Sequence, residues 1–282
     1  MNKYCIIEHP IGHSLSPQIH ARLFSLTGTE GEYTLQHITP EELDSKQDFL
    51  AGFKGYNITI PHKVAIIKHC TELDESAKRY NSVNCMHNTG DKKIGYNTDC
   101  VGFVKSIAMM GCTLNSKVLV IGCGGVGRMI AIEAALSGAE LTIAVLEKDV
   151  PLAEKVIEEI RAKKPEANVE TVSTGTDVLN ASQLGDKTFD LLINATPVGM
   201  HPNVDKMPCT SDVVDKVSAV FDVIYNPKET LVVKTAREKG KKGLCGMAML
   251  VLQAVAAHEI WYGASFNDDD IRQLITDMEN MI

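Results

Sequence analysis

The chain has 282 residues, 44% of them hydrophobic and 23% charged, with a formal net charge of −8 at pH 7. Such a length and apolar fraction support a real core, in two domains of ordinary size or in one large one. The acidic balance argues against nucleic acid or an anionic membrane as the main partner, so an anionic small ligand would need a locally positive site.

The first residues lead directly into a short apolar strand, Tyr4-Cys5-Ile6-Ile7, rather than into a signal-peptide core. No apolar run approaches the roughly 20 residues of a membrane span, and the expected location is cytoplasmic. The stretch HPIGHSLSP, residues 9–17, follows the strand. Its prolines mark a turn, and Ser16 is expected as the N-cap of a helix with Pro17 at its first position. EYTLQHI reads as a second strand, EELDSKQDFLAG as a helix, and GYNITI as a third strand. This alternation is the rhythm of an α/β domain. Eight cysteines lie at positions 5, 70, 85, 100, 112, 123, 209 and 245 with no C-x-x-C pair. They read as reduced thiols, and no metal site is expected.

From Lys117 the pattern sharpens. KVLVIG is a buried strand, GCGGVG follows at once, RMIAIEAALSG is a helix ended by Gly138, and LTIAVLE is the next strand. Strand, glycine turn, helix and strand in this order describe a mononucleotide-binding βαβ unit. In it Gly122 permits the tight turn, Gly124 lets the backbone approach a pyrophosphate, and Gly127 allows close helix–strand packing. The helix N-terminus around Gly125 and Val126 offers N–H donors and a positive dipole end. Glu147, at the tip of the second strand, can accept hydrogen bonds from the ribose hydroxyls of NAD and would repel the 2′-phosphate of NADP. Asp149 is an alternative ribose ligand if the strand ends later. DLLINAT and AVFDVIY supply further strands of a parallel sheet, and GMAMLVLQAVAAHEIWYG reads as a long helix, apolar on most faces.

Three further stretches concentrate polar residues at strand ends. They are Asn57-Ile58-Thr59-Ile60-Pro61-His62-Lys63, Asn81-Ser82-Val83-Asn84-Cys85 and Gly95-Tyr96-Asn97-Thr98-Asp99. The first is read as a strand whose end carries Lys63. Each alone is compatible with ordinary turn chemistry. Together with HSLSP they resemble the shikimate dehydrogenase family, in which H-S-L-S-P, N-V-T-x-P-x-K, A-V-N and N-T-D precede a G-x-G-G-x-G domain. The resemblance continues through Asn194-Ala195-Thr196-Pro197-Val198-Gly199-Met200 and Asp222-Val223-Ile224-Tyr225-Asn226-Pro227. It ends with Gly246-Met247, Met249-Leu250-Val251 and Gln253, and so covers essentially the whole chain.

What the resemblance implies is specific. Lys63 and Asp99 become the catalytic pair, and Ser14 and Ser16 bind the substrate carboxylate. Thr59, Asn84, Asn97, Tyr225 and Gln253 surround the substrate. The cofactor set comprises Gly122, Gly124, Gly125, Val126, Gly127, Glu147, Asn194, Thr196, Gly199, Met200 and Gly246, with segment 194–200 lining the nicotinamide end. The implied fold is α/β in two domains. A discontinuous substrate domain, residues 1–100 and 246–282, surrounds a Rossmann-type doubly wound domain, residues 101–245. The implied reaction is reversible hydride transfer between NAD(P) and the C3 hydroxyl of shikimate or quinate, as in chorismate and aromatic amino acid biosynthesis. Removing the hydroxyl proton requires an acid/base group, for which a lysine beside a carboxylate is suited.

The chain departs from the common family pattern in places. Val145-Leu146-Glu147 stands where NADP-dependent members carry Asn-Arg-Thr/Ser, which favours NAD over NADP and shifts weight to the quinate/shikimate branch. Cys85 replaces the usual threonine and Cys100 the usual glycine, either as packing residues or close to substrate. Arg128 either touches the pyrophosphate or decorates its helix. Alternative readings are a dehydrogenase of an amino-substituted relative of shikimate, and a non-catalytic ligand sensor. Retention of both Lys63 and Asp99 speaks against the sensor. A monomer and a homodimer are both compatible with the sequence.

Overall fold

A computed structural model describes every residue from Met1 to Ile282 except Ile11 and His13. The chain divides into two compact units, one of Met1–Gly102 with Leu250–Met278 and one of Phe103–Met249 with Glu279–Ile282. The second unit therefore takes 246–249 and 279–282, which the sequence reading assigned to the substrate domain. Lys228 Nζ fastens the chain terminus to it by donating to Asn280 Oδ1 at 2.8 Å.

The first unit opens with β1 (Asn2–Glu8), α1 (Ser16–Thr27), β2 (Gly31–His37), α2 (Gln47–Ala51), β3 (Gly55–Ile58) and α3 (His62–Ala65). It continues with β4 (Glu72–Leu73), α4 (Glu75–Tyr80), β5 (Cys85–Asn88), β6 (Lys93–Tyr96) and the first residues of α5 (Thr98–Met109), whose remainder from Phe103 belongs to the second unit. The strands form a mixed sheet in the order β2-β1-β3-β5-β6-β4, in which β5 is antiparallel to both its neighbours. Alternation along β1 sends Cys5 and Ile7 to one face, where they pack with Leu43, Leu50, Tyr56 and Met86. Tyr4 faces the other way, into an aromatic core with Phe24, Cys85 and Trp261. The Trp261 indole N–H donates to the Met86 carbonyl at 2.9 Å, so the large ring is buried with its polar atom satisfied.

Three local expectations for this unit change. The N-cap of α1 is Leu15, not Ser16, because Ser14 Oγ accepts the Ser16 N–H at 3.3 Å and closes the turn one residue earlier. The helix read over EELDSKQDFLAG shrinks to α2. Glu42 Oε2 instead turns back to accept the Thr39 N–H at 2.9 Å, and residues before Gln47 form turns. The strand read through Lys63 stops at Ile58, and the chain after Pro61 winds into α3, so Lys63 sits on a helical turn.

The second unit comprises β7 (Lys117–Ile121), α6 (Gly125–Leu136), β8 (Glu140–Val145), α7 (Val150–Lys163), β9 (Val169–Ser173) and β10 (Phe189–Asn194). It ends with α8 (Ser211–Asp215), β11 (Val217–Asp222), α9 (Leu231–Glu238) and β12 (Lys242–Leu244). Its sheet is wholly parallel in the order β12-β11-β10-β7-β8-β9. This is a doubly wound Rossmann sheet whose strand order reverses between β7 and β10, where such sheets bind ligands. The four central strands, β7, β8, β10 and β11, are mostly apolar and buried, as helices on both faces require, whereas the edge strands β9 and β12 are more polar and partly exposed.

The last helices are α10 (Met247–Tyr262) and α11 (Asp268–Glu279). α10 is buried along most of its length, in keeping with a helix apolar all round. Among the described residues, no helix is long and apolar enough to cross a membrane.

Candidate active site

Lys63 and Asp99 reach each other from two short helical starts. β3 ends at Ile58, α3 places Lys63, and the Lys63 carbonyl accepts the Val83 N–H at 2.8 Å, which draws the segment leading to β5 alongside. Asp99 lies in the first turn of α5, where the positive end of the helix dipole favours a carboxylate. Lys63 Nζ donates to Asp99 Oδ2 at 2.6 Å, with the two side chains 23% and 17% exposed. The pair is thus screened from most solvent but open to a ligand.

Asn84 completes the arrangement. Its Nδ2 donates to Asp99 Oδ1 at 2.8 Å and to Thr98 Oγ1 at 3.0 Å, and its Oδ1 accepts the Thr98 N–H at 2.6 Å. Both Asp99 oxygens are therefore engaged, one by a cation and one by an amide, which fixes the carboxylate plane. Behind Asn84, Tyr33 Oη donates to Asn57 Oδ1 at 2.8 Å and Asn57 Nδ2 donates to the Asn84 carbonyl at 3.3 Å. Gln253 of α10 comes within 3.4 Å of Thr98 Oγ1 through its Oε1. Thr98 is the functional residue that sequence reasoning passed over. It lies between two residues that were singled out, and its hydroxyl bridges Asn84 and Gln253.

The other residues assigned to the substrate are placed less uniformly. Asn97 is buried, with Nδ2 donating to the Ser82 carbonyl at 3.1 Å and Oδ1 accepting the Cys100 N–H at 3.4 Å. These two hydrogen bonds tie its amide to the turn into α5. Ser14 is half-buried and Ser16 buried at the start of α1, and Thr59 is half-buried just past β3. None of the hydrogen bonds described above joins these three to Lys63 and Asp99. Cys85 belongs to the aromatic core, where burial pushes its thiol well up, and the Cys100 sulfur lies 2.8 Å from Tyr80 Oη. Both thiols are packing residues.

The second unit carries the glycine turn. Gly122 adopts φ +95°, the left-handed region, and a Cβ there would lie 2.7 Å from the Thr196 methyl. A Cβ on Gly127 would meet the Gly122 carbonyl oxygen at 2.4 Å, so only glycine lets α6 approach β7 this closely. A Cβ added at Gly124 or Gly125, both exposed, would meet nothing within 4 Å beyond the adjoining backbone. Open space over the first-turn N–H groups of the 12-residue helix α6 is what a pyrophosphate needs. This cradle fits a dinucleotide.

Segment 194–200 follows β10. Asn194 is fully buried: its Nδ2 donates to Asp222 and to the Val198 carbonyl, and its Oδ1 accepts the Thr196 N–H at 3.0 Å and hydroxyl at 2.7 Å. Every polar atom of the amide is used, so Asn194 braces the segment. Thr196 is half-buried, Gly199 buried and Met200 exposed. Tyr225 is half-buried beyond β11, and Gly246 is buried with its N–H donating to the Ile224 carbonyl at 2.8 Å. Glu147 is exposed in a 3-10 turn just after β8, with Val126 half-buried in the first turn of α6. Arg128 Nε and an Nη donate to the two Glu159 oxygens at 2.9 and 2.7 Å. This two-point ion pair with α7 engages the guanidinium on the outside of α6.

Residues 6–86 match the model of the shikimate dehydrogenase substrate binding domain. The chain is 36% identical over 276 residues to the shikimate dehydrogenase (NADP(+)) of Caldanaerobacter subterraneus subsp. tengcongensis, covering 96% of this chain and 95% of that protein. The chain belongs to the shikimate dehydrogenase family. Among solved structures, that of the Thermus thermophilus shikimate 5-dehydrogenase with NADP(H) and shikimate is similar, with TM-score 0.83, 27% identity, and 98% of this chain and 99% of that one covered. The shikimate 5-dehydrogenase of Listeria monocytogenes with shikimate and NAD also matches, with TM-score 0.83, 26% identity, and 97% and 96% covered. Within this family, then, solved relatives carry either dinucleotide.

Proposed function

We propose that the protein is a shikimate dehydrogenase that moves a hydride reversibly between NAD(P) and the C3 hydroxyl of shikimate. The observation that carries this reading is the Lys63–Asp99–Asn84 arrangement in a chain similar along its whole length to enzymes of that name. The bound nicotinamide supplies the hydride acceptor, and this chain's residues handle the proton. Asp99, held by Asn84, accepts a hydrogen bond from Lys63 Nζ and so aims that amine at the substrate hydroxyl. Lys63, in its neutral form, takes the hydroxyl proton as the carbon–hydrogen bond breaks, and its ammonium returns that proton in the reduction of the ketone. Ser14, Ser16, Thr59, Tyr225 and Gln253 are the remaining substrate contacts on this reading.

NAD is proposed as the preferred cofactor, although relatives from three organisms are named NADP(+) enzymes. Support comes from Glu147, an exposed carboxylate just past β8, and from Arg128, whose guanidinium is engaged with Glu159. A 2′-phosphate would meet a negative charge there. Initial rates with shikimate and quinate, each against NAD and NADP, test both parts. At least tenfold faster turnover of shikimate with NAD supports the whole reading. Faster turnover with NADP overturns the cofactor choice alone. No turnover of either acid overturns the substrate.

A further inference from the structure

Asp222 ends β11 fully buried, and every hydrogen bond described to its carboxylate comes from a neutral donor. Asn194 Nδ2 donates to its two oxygens at 3.0 and 3.1 Å, the Ile224 N–H to Oδ1 at 3.0 Å, and Thr230 Oγ1 to Oδ2 at 2.8 Å. β10 and β11 are paired so that Asn194 stands opposite Asp222, which is why the two side chains meet. A buried carboxylate without a cation is costly, and its retention here calls for a reason.

The reason lies in the Asn194 amide. An amide can face either way, but an anion accepts only its NH2 side. With Nδ2 fixed on Asp222, Oδ1 must point at Thr196, whose N–H and hydroxyl it accepts, while Thr196 Oγ1 takes the Val198 N–H at 3.2 Å. The same segment abuts the glycine turn: the Ala195 N–H donates to the Ile121 carbonyl at 2.9 Å, and the Thr196 methyl closes over Gly122. We propose that Asp222 is a positioning residue for the dinucleotide, clamping the Asn194 amide so that segment 195–200 is held in the form that receives the cofactor. This rests on the proposed function only for its substrate. The clamp itself needs no more than a dinucleotide on the glycine turn.

The clamp is sensitive to pH. Burial pushes the Asp222 carboxyl up to about 6, against the hydrogen bonds that favour its charge. The groups around it are Asn194 from β10, Thr230 at the N-cap of α9, and the thiols of Cys209 and Cys245. Burial holds those thiols up at about 12 and about 11, so they stay neutral, and Arg237 of α9 acts on Cys245. Protonation of Asp222 would remove the anion that orients the amide.

The test uses the purified full chain and its Asp222→Asn variant, with affinity for NADH and NADPH read from fluorescence and steady-state kinetics with shikimate. Asp222→Asn should weaken dinucleotide binding about tenfold and leave the shikimate KM within twofold. The wild-type cofactor KM should rise as pH falls below about 6, and the variant should lose that dependence. A variant that is merely less stable, with unchanged dinucleotide affinity, overturns the clamp, as does a flat wild-type cofactor KM from pH 5 to 8. If Asp222→Asn fails to fold, Thr230→Val keeps the carboxylate but removes one donor. It should shift the acid limb to higher pH and raise the cofactor KM about threefold, and an unmoved limb overturns the proposal. Shikimate turnover by the wild type reports separately on the proposed function, because dinucleotide binding requires no substrate.

Discussion

Lys63 and Asp99 form the closest cation–carboxylate contact of the candidate site, 2.6 Å, and each is presented by the first turn of a helix rather than by a long loop. A site on such elements is held to the tolerance that proton transfer needs. If Lys63 moves the proton, Lys63→Ala should lower kcat by about 10²- to 10⁴-fold, the usual span of an acid/base contribution. The shikimate KM should change much less. Lys63→Arg provides the sharper control, because it keeps the charge beside Asp99 but cannot release a proton at working pH. Steady-state kinetics of both variants decide the matter, and an arginine variant with near wild-type kcat would reduce Lys63 to an electrostatic role.

Thr98 is buried between Asn84 and Gln253, and its hydroxyl is a shared partner of both. Thr98→Val keeps the shape and leaves Asn84 Nδ2 short of an acceptor inside the protein. A lost buried partner costs about 1–3 kcal/mol. The expected result is a fall in kcat/KM for shikimate of about tenfold, with the dinucleotide KM unchanged. Equal losses for both ligands would show that the bridge holds the fold rather than the site.

Much of this was legible in the chain itself, for identifiable reasons. Gly122 and Gly127 were readable because no other residue tolerates a positive φ or a 2.4 Å approach of a carbonyl at those points. Lys63 and Asp99 were readable because their neighbours form ordered motifs. The backbone hydrogen bonds of Asn97 and Asn194 were not, because a sequence shows an amide but not the carbonyls and N–H groups it meets. Thr98 escaped for the converse reason: its importance comes from Gln253, 155 residues away. The length of α2 was also hidden. Whether Glu42 continues a helix or turns back to accept the Thr39 N–H is settled by geometry that residue type does not reveal.

Glu147 follows β8 on an exposed 3-10 turn, so its effect on cofactor choice can be altered without disturbing the core. Glu147→Arg replaces a repelling charge with one that can grip a 2′-phosphate. The ratio of kcat/KM for NAD to that for NADP should move at least tenfold toward NADP. An unchanged ratio would mean that the ribose lies against other residues, with Asp149 next in line.

His20 and His258 place two imidazoles in the aromatic core of the first unit. His20 Nδ1 lies 2.8 Å from His258 Nε2, His258 Nδ1 meets Tyr262 Oη, and His20 stacks on Tyr33 with ring centroids 3.8 Å apart. Burial drives both histidines down, His258 to about 3 and His20 well below its ordinary value, so the folded protein keeps them neutral. The sign follows from the direction. As pH falls below about 6.5, the unfolded chain takes up protons that the folded one refuses, so stability is greatest above that value and falls with pH below it, for His258 on the way down to about 3. For His258 the loss is of the order of 3 kcal/mol by pH 4, at 1.36 kcal/mol per unit. His258→Gln, which cannot charge, should lower stability at pH 7 but flatten its fall between pH 6.5 and 4. Urea titrations across that range measure the slope. An equally steep fall in the variant would assign acid unfolding to the carboxylates instead.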